Sequence, residues 1–442
     1  MKSTGNSSSS DTFHDLYLGQ GIYIHWLRNT LCKTIRLDLI LSQTLRRPDN
    51  AYGALVNRLG ERGTNAFPSM QELGRAVDHL YGAFLSTDVS VLGNRHFSHV
   101  SLEVLAPKHV EKSDCSGLLL SALDMVRQVA MEPLKEGGEY RERYVLEEKR
   151  SLREQIISLY SDKMAYALRR CADEIGGARV SPLGNEEDIE KIDAGRLAAF
   201  HRDLLRESEI HFYFSGHISV DDVIAVSRQI PLWFKTIGRA EKKDKYGTEI
   251  PMADSHSMRH IFECGQVKQG KLIYGFEVPV AQDLRSYVAL LVLNALLGGE
   301  ITSFLYRYLR EDKRLCYFIE SQVEPLLGRA YVLASVERED YQSALKEINR
   351  GIGDLKAARV MPEEWNRTLV LVGHKLTALR DDRDALQRIN IRSLVSGFPI
   401  TFGEMEYHLA SLRLEEVVHC AHTMAPRVVY FLYGDQGEAK VN

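Results

Sequence analysis

The same succession of elements runs through this 442-residue chain twice, and that constrains the fold more than any composition figure. The first copy opens with "CKTIRLDLILSQTL" (32–45), whose alternating apolar residues read as a strand. A helix (Ala51 to Leu59), a turn at Gly63-Thr64, a second helix ("SMQELGRAVDHLYGA", 69–83) and another strand-like run ("HFSHVSLEVL", 96–105) follow. The second copy has "GKLIYGFEVPV" (270–280), two helical runs ("LRSYVALLVLNALLGG" and "TSFLYRYLRED") and two strand-like runs ("YFIESQV" and "RAYVLASVE"). Gly63 and Gly299 are 236 residues apart, as are Tyr81 and Tyr317. Each copy continues into a charged helical stretch, Tyr140 to about Glu174 and Pro362 to about Leu394. Each closes on a β-rich run meeting a glycine, Gly216 or Gly434.

Between the copies lies "GRAEKKDKYGTEIPMADSHSM", charged and poor in apolar residues, as an inter-domain linker is. The reading is therefore an α+β chain of two homologous domains, each a mixed or antiparallel sheet covered by helices, facing each other across a cavity. The expected boundaries are a disordered polar tail over 1–15, domains at 16–232 and 259–442, and a linker at 233–258. A formal net charge of −4 gives no electrostatic reason to expect nucleic acid or an anionic membrane as partner. The longest apolar run, Tyr287 to Leu297, is interrupted by Asn294 and is too short to span a bilayer. The opening residues lack the apolar stretch of a signal peptide. Six scattered cysteines without a CxxC read as reduced thiols in the cytoplasm.

After residue 15 nearly the whole chain resembles the pitrilysin/insulinase peptidases, the inverzincins. The resemblance rests on the helix before Gly63-Thr64, "PSMQEL" (68–73), "PLGNEEDIEKI" (182–192) and above all "LNALLGGEITSFLYRYLREDKRLCYFIES" (293–321). It is closest to a non-catalytic subgroup, the YfmF-type proteins, whose label associates them with aminopentanol modification of elongation factor P. The resemblance implies the metallohydrolase fold of the mitochondrial processing peptidase.

Active members of that family hold zinc with His-x-x-Glu-His on a helix. Two imidazoles one turn apart share a face and one ion, and the intervening Glu acts as general base on a metal-bound water. A third ligand, a Glu, comes from a later helix. Set in that frame through Gly63-Thr64, this chain has Ala54 and Arg58 at the histidine positions, Asn57 at the base and Gln155 at the third ligand. No histidine occurs between Trp26 and Asp78, so no shift of register restores the motif. Ala54 has no donor atom, Asn57 is no base at neutral pH, and Arg58 is a fixed cation. No catalytic residue, metal or cofactor is expected. Arg58 pairing with Glu148 or Glu154 is the expected replacement for the ion.

The family's second half does survive. Arg310 and Tyr317, seven residues apart, match the Arg and Tyr with which the family grips substrate, a guanidinium and a phenol that both donate to a peptide carbonyl. The alternative is that Arg310 only complements a helix C-terminus and Tyr317 only fills a strand. Gly298-Gly299 lacks a phosphate-loop ending and is assigned to a tight turn where backbone passes near substrate. "HIFEC" (260–264) reads as a strand or its approach, where residues three apart point to opposite faces; His256 and His260 sit solvated at the end of the polar linker; His96 with His99, and His419 with His422, lack a third ligand at useful spacing.

The expectation is a zinc-free homologue that partners an active zinc-bearing homologue, or forms a homodimer, and supplies Arg310 and Tyr317 for processing unfolded peptides or short polypeptides. The alternatives are a purely structural subunit or a free-standing peptide-binding chamber. No nucleic acid or membrane partner is expected.

Overall fold

The computed structural model describes residues 12–110, 115–176, 181–235, 237–239 and 257–434. Most of the expected linker, 240–256 with His256, and the first eleven residues of the expected tail lie outside the described residues. Strand β1 (His14–Gly19) starts inside the expected tail because His14 and Asp15 pair with Trp26 and His25 of β2 (Ile22–Arg28).

The strands that follow are β3 (Thr34–Thr44), β4 (Phe84–Leu92), β5 (Arg95–Leu105), the two-residue strands β6 (Lys135–Glu136) and β7 (Glu139–Tyr140), and β8 (Glu209–Gly216). In the second half come β9 (Arg259–Gly265), β10 (Gly270–Glu277), β11 (Cys316–Glu324), β12 (Arg329–Val336) and β13 (Ala425–Gly434). One sheet has the order β1-β2-β8-β3-β5-β4 and the other β11-β12-β10-β13-β9. Apart from the extra β1, the two orders superpose strand for strand. In each, one pair is parallel, β2 with β8 and β9 with β13, and the remaining pairs are antiparallel. The repeated order of elements in the sequence is a repeated sheet.

The chain divides into two compact units: Met1–Ile157 with Val180–Lys245 and Arg383–Asn390, and Ser158–Arg179 with Tyr246–Asp382 and Ile391–Asn442. Each half of the chain thus lends a helix to the other unit. The charged stretch after Tyr140 is two helices, α4 (Glu142–Leu159) and α5 (Lys163–Ile175), because Asp162 caps the amides of Met164 and Ala165 and starts a new helix. Helix α5 carries an apolar stripe of Ala167, Leu168, Cys171, Ala172 and Ile175. That stripe packs in the second unit against Ile273, Tyr331, Leu333, Val428, Tyr430 and Leu432. The stretch after Pro362 likewise breaks after Leu379, and a second helix (Arg383–Ser396) follows. Its first turns belong to the first unit through polar contacts: Arg383 to Glu103 at 2.6 Å, Gln387 to Asp38 at 2.9 Å, and Asn390 accepting from Tyr213 at 2.7 Å.

In the first unit, helix α1 (Asp49–Glu61) lies on β4 and β5, with Ala51, Ala54, Leu55, Val56 and Leu59 buried. Burying such side chains stabilises by roughly 1.5–3 kcal/mol for each large one. Gly63 ends the helix region at φ +145°, and a side chain there would meet the carbonyl of Phe67 at 2.8 Å. That turn is closed by Thr64, fully buried, whose amide donates to the Phe67 carbonyl. Helix α2 (Met70–Asp78) then starts on Ser69, which caps the Glu72 amide, and α3 (Cys115–Met131) comes after β5.

Candidate functional site

All four positions that match the resembled family's metal site, Ala54, Asn57, Arg58 and Gln155, line one cleft. On α1, Ala54 and Arg58 are one turn apart and share a face with Asn57 beside them. On α4, Glu148, Ser151 and Gln155 lie at spacings of three and four residues on the face turned to α1. The Arg58 guanidinium bridges the two helices. It donates to Glu148 at 3.3 Å, to Ser151 at 3.1 Å, and to the side-chain oxygen of Gln155. Arg62, one turn on, donates to the other Glu148 oxygen at 2.6 Å and pairs with Glu147 at 3.1 Å. Glu148, buried, thus serves two arginines. Glu154 is paired with Arg150 instead, at 3.0 Å, so Glu148 is the partner that Arg58 takes.

Asn57 is buried and its amide nitrogen donates to the carbonyl of Asp88 at 2.7 Å and less closely to that of His99 at 3.4 Å. These residues surround a cleft of about 380 Å³, lined by α1, by α4 and by Thr87, Asp88 and Val89 of β4. A dication does not fit this donor set. Ala54 offers no atom, Asn57 turns its amide nitrogen to backbone carbonyls and has only a neutral oxygen besides, and Gln155 is bound to a guanidinium that would repel the ion. Among the described residues no group of three His, Cys, Asp or Glu side chains is arranged to hold a metal.

Arg310 and Tyr317 lie in the second unit. The segment Tyr306–Asp312 is a wide π-type helical turn, and Arg310 stands over the Tyr306 ring at 4.9 Å. The amide of Leu315 donates to the carbonyl of Leu309 at 2.7 Å, closing the loop that leads into β11. The Cys316 thiol is pushed up to about 11 by burial, opposed by the positive charge of nearby Arg310, so the guanidinium is close to the start of β11. Strand β11 is an edge strand with a bulge at its first residues. Cys316 stands opposite Val336 and Phe318 opposite Ser335, which leaves Tyr317 as the extra residue. Tyr317 is 82% exposed and Arg310 is exposed. With described residues neither makes a hydrogen bond or ion pair, so their donors are free. Tyr317 does not fill the strand's packed face.

The Gly298-Gly299 pair ends another π-type turn, Ala295–Gly299. A side chain on Gly298 would meet Ser321 of β11 at 3.0 Å, and one on Gly299 would meet Asn294 at 2.8 Å. Ser321 in turn donates to Asn294 at 2.8 Å. The pair lets the turn press against the strand that carries Tyr317.

The histidines set aside earlier are placed separately. "HIFEC" is inside β9, where His260 contacts the Tyr341 hydroxyl at 2.9 Å. His96 meets the Pro182 carbonyl and His99 the Ser90 hydroxyl. Sequence reasoning missed Glu61, Arg62, Ser151 and Asp88 as cleft residues. Helical spacing from Arg58 and Gln155 could have found the first three; Asp88, on a strand, carries no such signal.

A family model described as the peptidase M16 inactive domain matches residues 191–369. Over 421 residues the chain is 24% identical to a probable inactive metalloprotease, YmfF, of Bacillus subtilis, covering 94% of this chain and 97% of that one. It is 25% identical over 238 residues to an uncharacterized zinc protease of the same bacterium, YmxG, covering 53% of this chain and 56% of that one. A conserved protein from Enterococcus faecalis has the same fold, with a TM-score of 0.86 and 19% identity over 97% of this chain and all of that one. The family-model match and the near full-length relative point the same way: the chain is similar to the peptidase M16 inactive domain over 191–369 and to a probable inactive metalloprotease over most of its length.

Proposed function

We propose that this chain is the zinc-free partner in a two-chain peptide-processing assembly. An active homologue carries the metal, and this chain supplies Arg310 and Tyr317 to hold the peptide. The observation that carries the reading is the contrast between two places. At the motif positions the cations are tied internally, Arg58 to Glu148, Ser151 and Gln155, and Arg62 to Glu147 and Glu148. At the edge of the second sheet a guanidinium and a phenol stand exposed with their donors unspent. A peptide carbonyl takes a hydrogen bond from each, and a polarised one takes them more strongly. The similarity to both an inactive metalloprotease and a zinc protease of one bacterium supports a pair of such chains.

The chain works in the cytoplasm in this reading. The described cysteines are free, and among the described residues no helix is long and apolar enough to cross a membrane. The subgroup's label makes elongation factor P modification the first pathway in which to seek the partner.

The test is complementation. Purified alone, the chain should neither retain stoichiometric zinc nor hydrolyse a fluorogenic peptide. Mixed with a zinc-bearing homologue it should raise that homologue's activity. A scaffold without a part in hydrolysis predicts instead that Arg310 and Tyr317 are replaceable without effect.

A further inference from the structure

Strand β4 is the terminal strand of the first sheet, and its free edge fronts the cleft. In an antiparallel pair the amide and carbonyl of one residue point to the neighbour and those of the next point away. The Thr87 amide is one of the outward groups. It donates not to water but to a carboxylate oxygen of Glu61, the last residue of α1, at 2.8 Å. The alternation makes Val89 the next outward residue. Its amide also donates to a carboxylate, that of Asp88, at 2.8 Å. Two successive edge donors are therefore occupied by acids, at the stretch of edge that lines the cleft. Strand addition needs just these donors for the carbonyls of an incoming peptide.

We propose that Glu61 and Asp88 form a carboxylate latch that keeps the cleft-side edge of β4 from accepting an extended peptide as an added strand. Building on the reading above, peptide engages this chain through Arg310 and Tyr317 and not through the cleft that replaced the metal site. The physical ground is competition. A carboxylate is a stronger acceptor than a neutral peptide carbonyl, and both acids are already held in place by the fold. An incoming strand has to break two charge-assisted bonds to make two neutral ones. The exchange weakens pairing by about tenfold for each latch. Charged groups placed on a free edge are a general defence against unwanted pairing. Here they also decide where peptide can lie. Burial raises the Glu61 carboxyl above its ordinary range, and it makes no ion pair within 4 Å among the described residues, so the latch is not a by-product of a salt bridge.

Amide hydrogen exchange of the 84–92 segment tests the proposal, measured with and without saturating reduced, carboxymethylated lactalbumin, a permanently unfolded polypeptide. Exchange in the wild-type segment should not change on adding the polypeptide. In the Glu61→Ala/Asp88→Ala double variant it should slow by about tenfold or more. Adding Thr87→Pro to that background should reduce the gain, since proline removes one of the two outward amides and is tolerated on an outward edge position. If the double variant does not fold, Glu61→Ala alone, which leaves Asp88 beside His99, should give a smaller slowing. Slowing in the wild type equal to that in the variant overturns the latch, and so does a folded variant that shows none. Arg310→Ala, run in parallel, separates this outcome from the partner reading. That variant should lose stimulation of a zinc-bearing homologue and leave exchange at β4 untouched.

Discussion

Replacing Arg58 with methionine keeps bulk at the helix crossing and removes only the guanidinium. Three donor contacts go with it: Glu148, Ser151 and Gln155. The Arg58 side chain is 25% exposed and that of Glu148 9%, so the pair is neither a surface ion pair nor a fully buried one. Exposed pairs contribute roughly 0.2–1 kcal/mol, and breaking a buried pair costs about 3–5 kcal/mol. Glu148 keeps Arg62 at 2.6 Å, so its carboxylate is not stranded. The expected loss is about 1–2 kcal/mol, between those limits. Glu148→Gln is the harsher change, because it leaves two arginines facing each other without their shared anion. About 2–4 kcal/mol is expected there. In a unit of this size each kcal/mol moves the midpoint by about 2–4 °C. Calorimetry, with the first unit's transition identified by pulsed exchange of α1, should therefore show a drop of roughly 2–8 °C for Arg58→Met and a larger one for Glu148→Gln. An Arg58→Met protein as stable as wild type would refute the claim that this cation holds α1 and α4 together. Glu148→Gln milder than Arg58→Met would refute the claim that Glu148 is the shared anchor.

Acidification should weaken the first unit before the second. Burial holds His96 and His99 down to about 4 and His201 to about 3, and keeps His211 well below its ordinary value. The unfolded chain takes up protons near pH 6.5 and the folded one does not, so stability falls as pH drops from 6.5 to about 4, by at most about 1.4 kcal/mol per pH unit for each histidine. Exchange at pH 5 should show α1 and β3 opening ahead of β10 and β12; the reverse order would contradict these burials. Leu168→Ala, in the first half of the sequence, should destabilise the second unit by about 2–5 kcal/mol. The readout is faster exchange in β10 and β13 with β3 unchanged.

The repeat was legible in the sequence because both copies had to build the same sheet, and strand order follows element order when connections are short. The lack of zinc-ligand residue types at the motif positions was legible because such ligands are residue types at fixed helical spacing, and Ala54, Asn57, Arg58 and Gln155 are none of them. The Arg58–Glu148 pair was legible as one of two choices; which glutamate turns toward α1 depends on the phase of α4, fixed only by packing. The exchange of α5 and of the helix from Arg383 was hidden. Nothing in a continuous charged helical pattern says that the chain changes unit after Ile157 or after Asp382. The bulge that leaves Tyr317 out of the strand register was hidden too, since "LCYFIES" reads as an unbroken strand. The latch on β4 pairs residues 26 positions apart in the chain through a backbone amide, and backbone donors leave no mark in composition.

The most direct measurement is peptide hydrolysis by a zinc-bearing homologue in the presence of this chain, wild type or Arg310→Ala, with complex formation followed in the same samples by sedimentation. The account predicts stimulation by wild type and none by Arg310→Ala, with both chains assembling equally. Full stimulation by Arg310→Ala, or chelator-sensitive hydrolysis by this chain on its own, would contradict it.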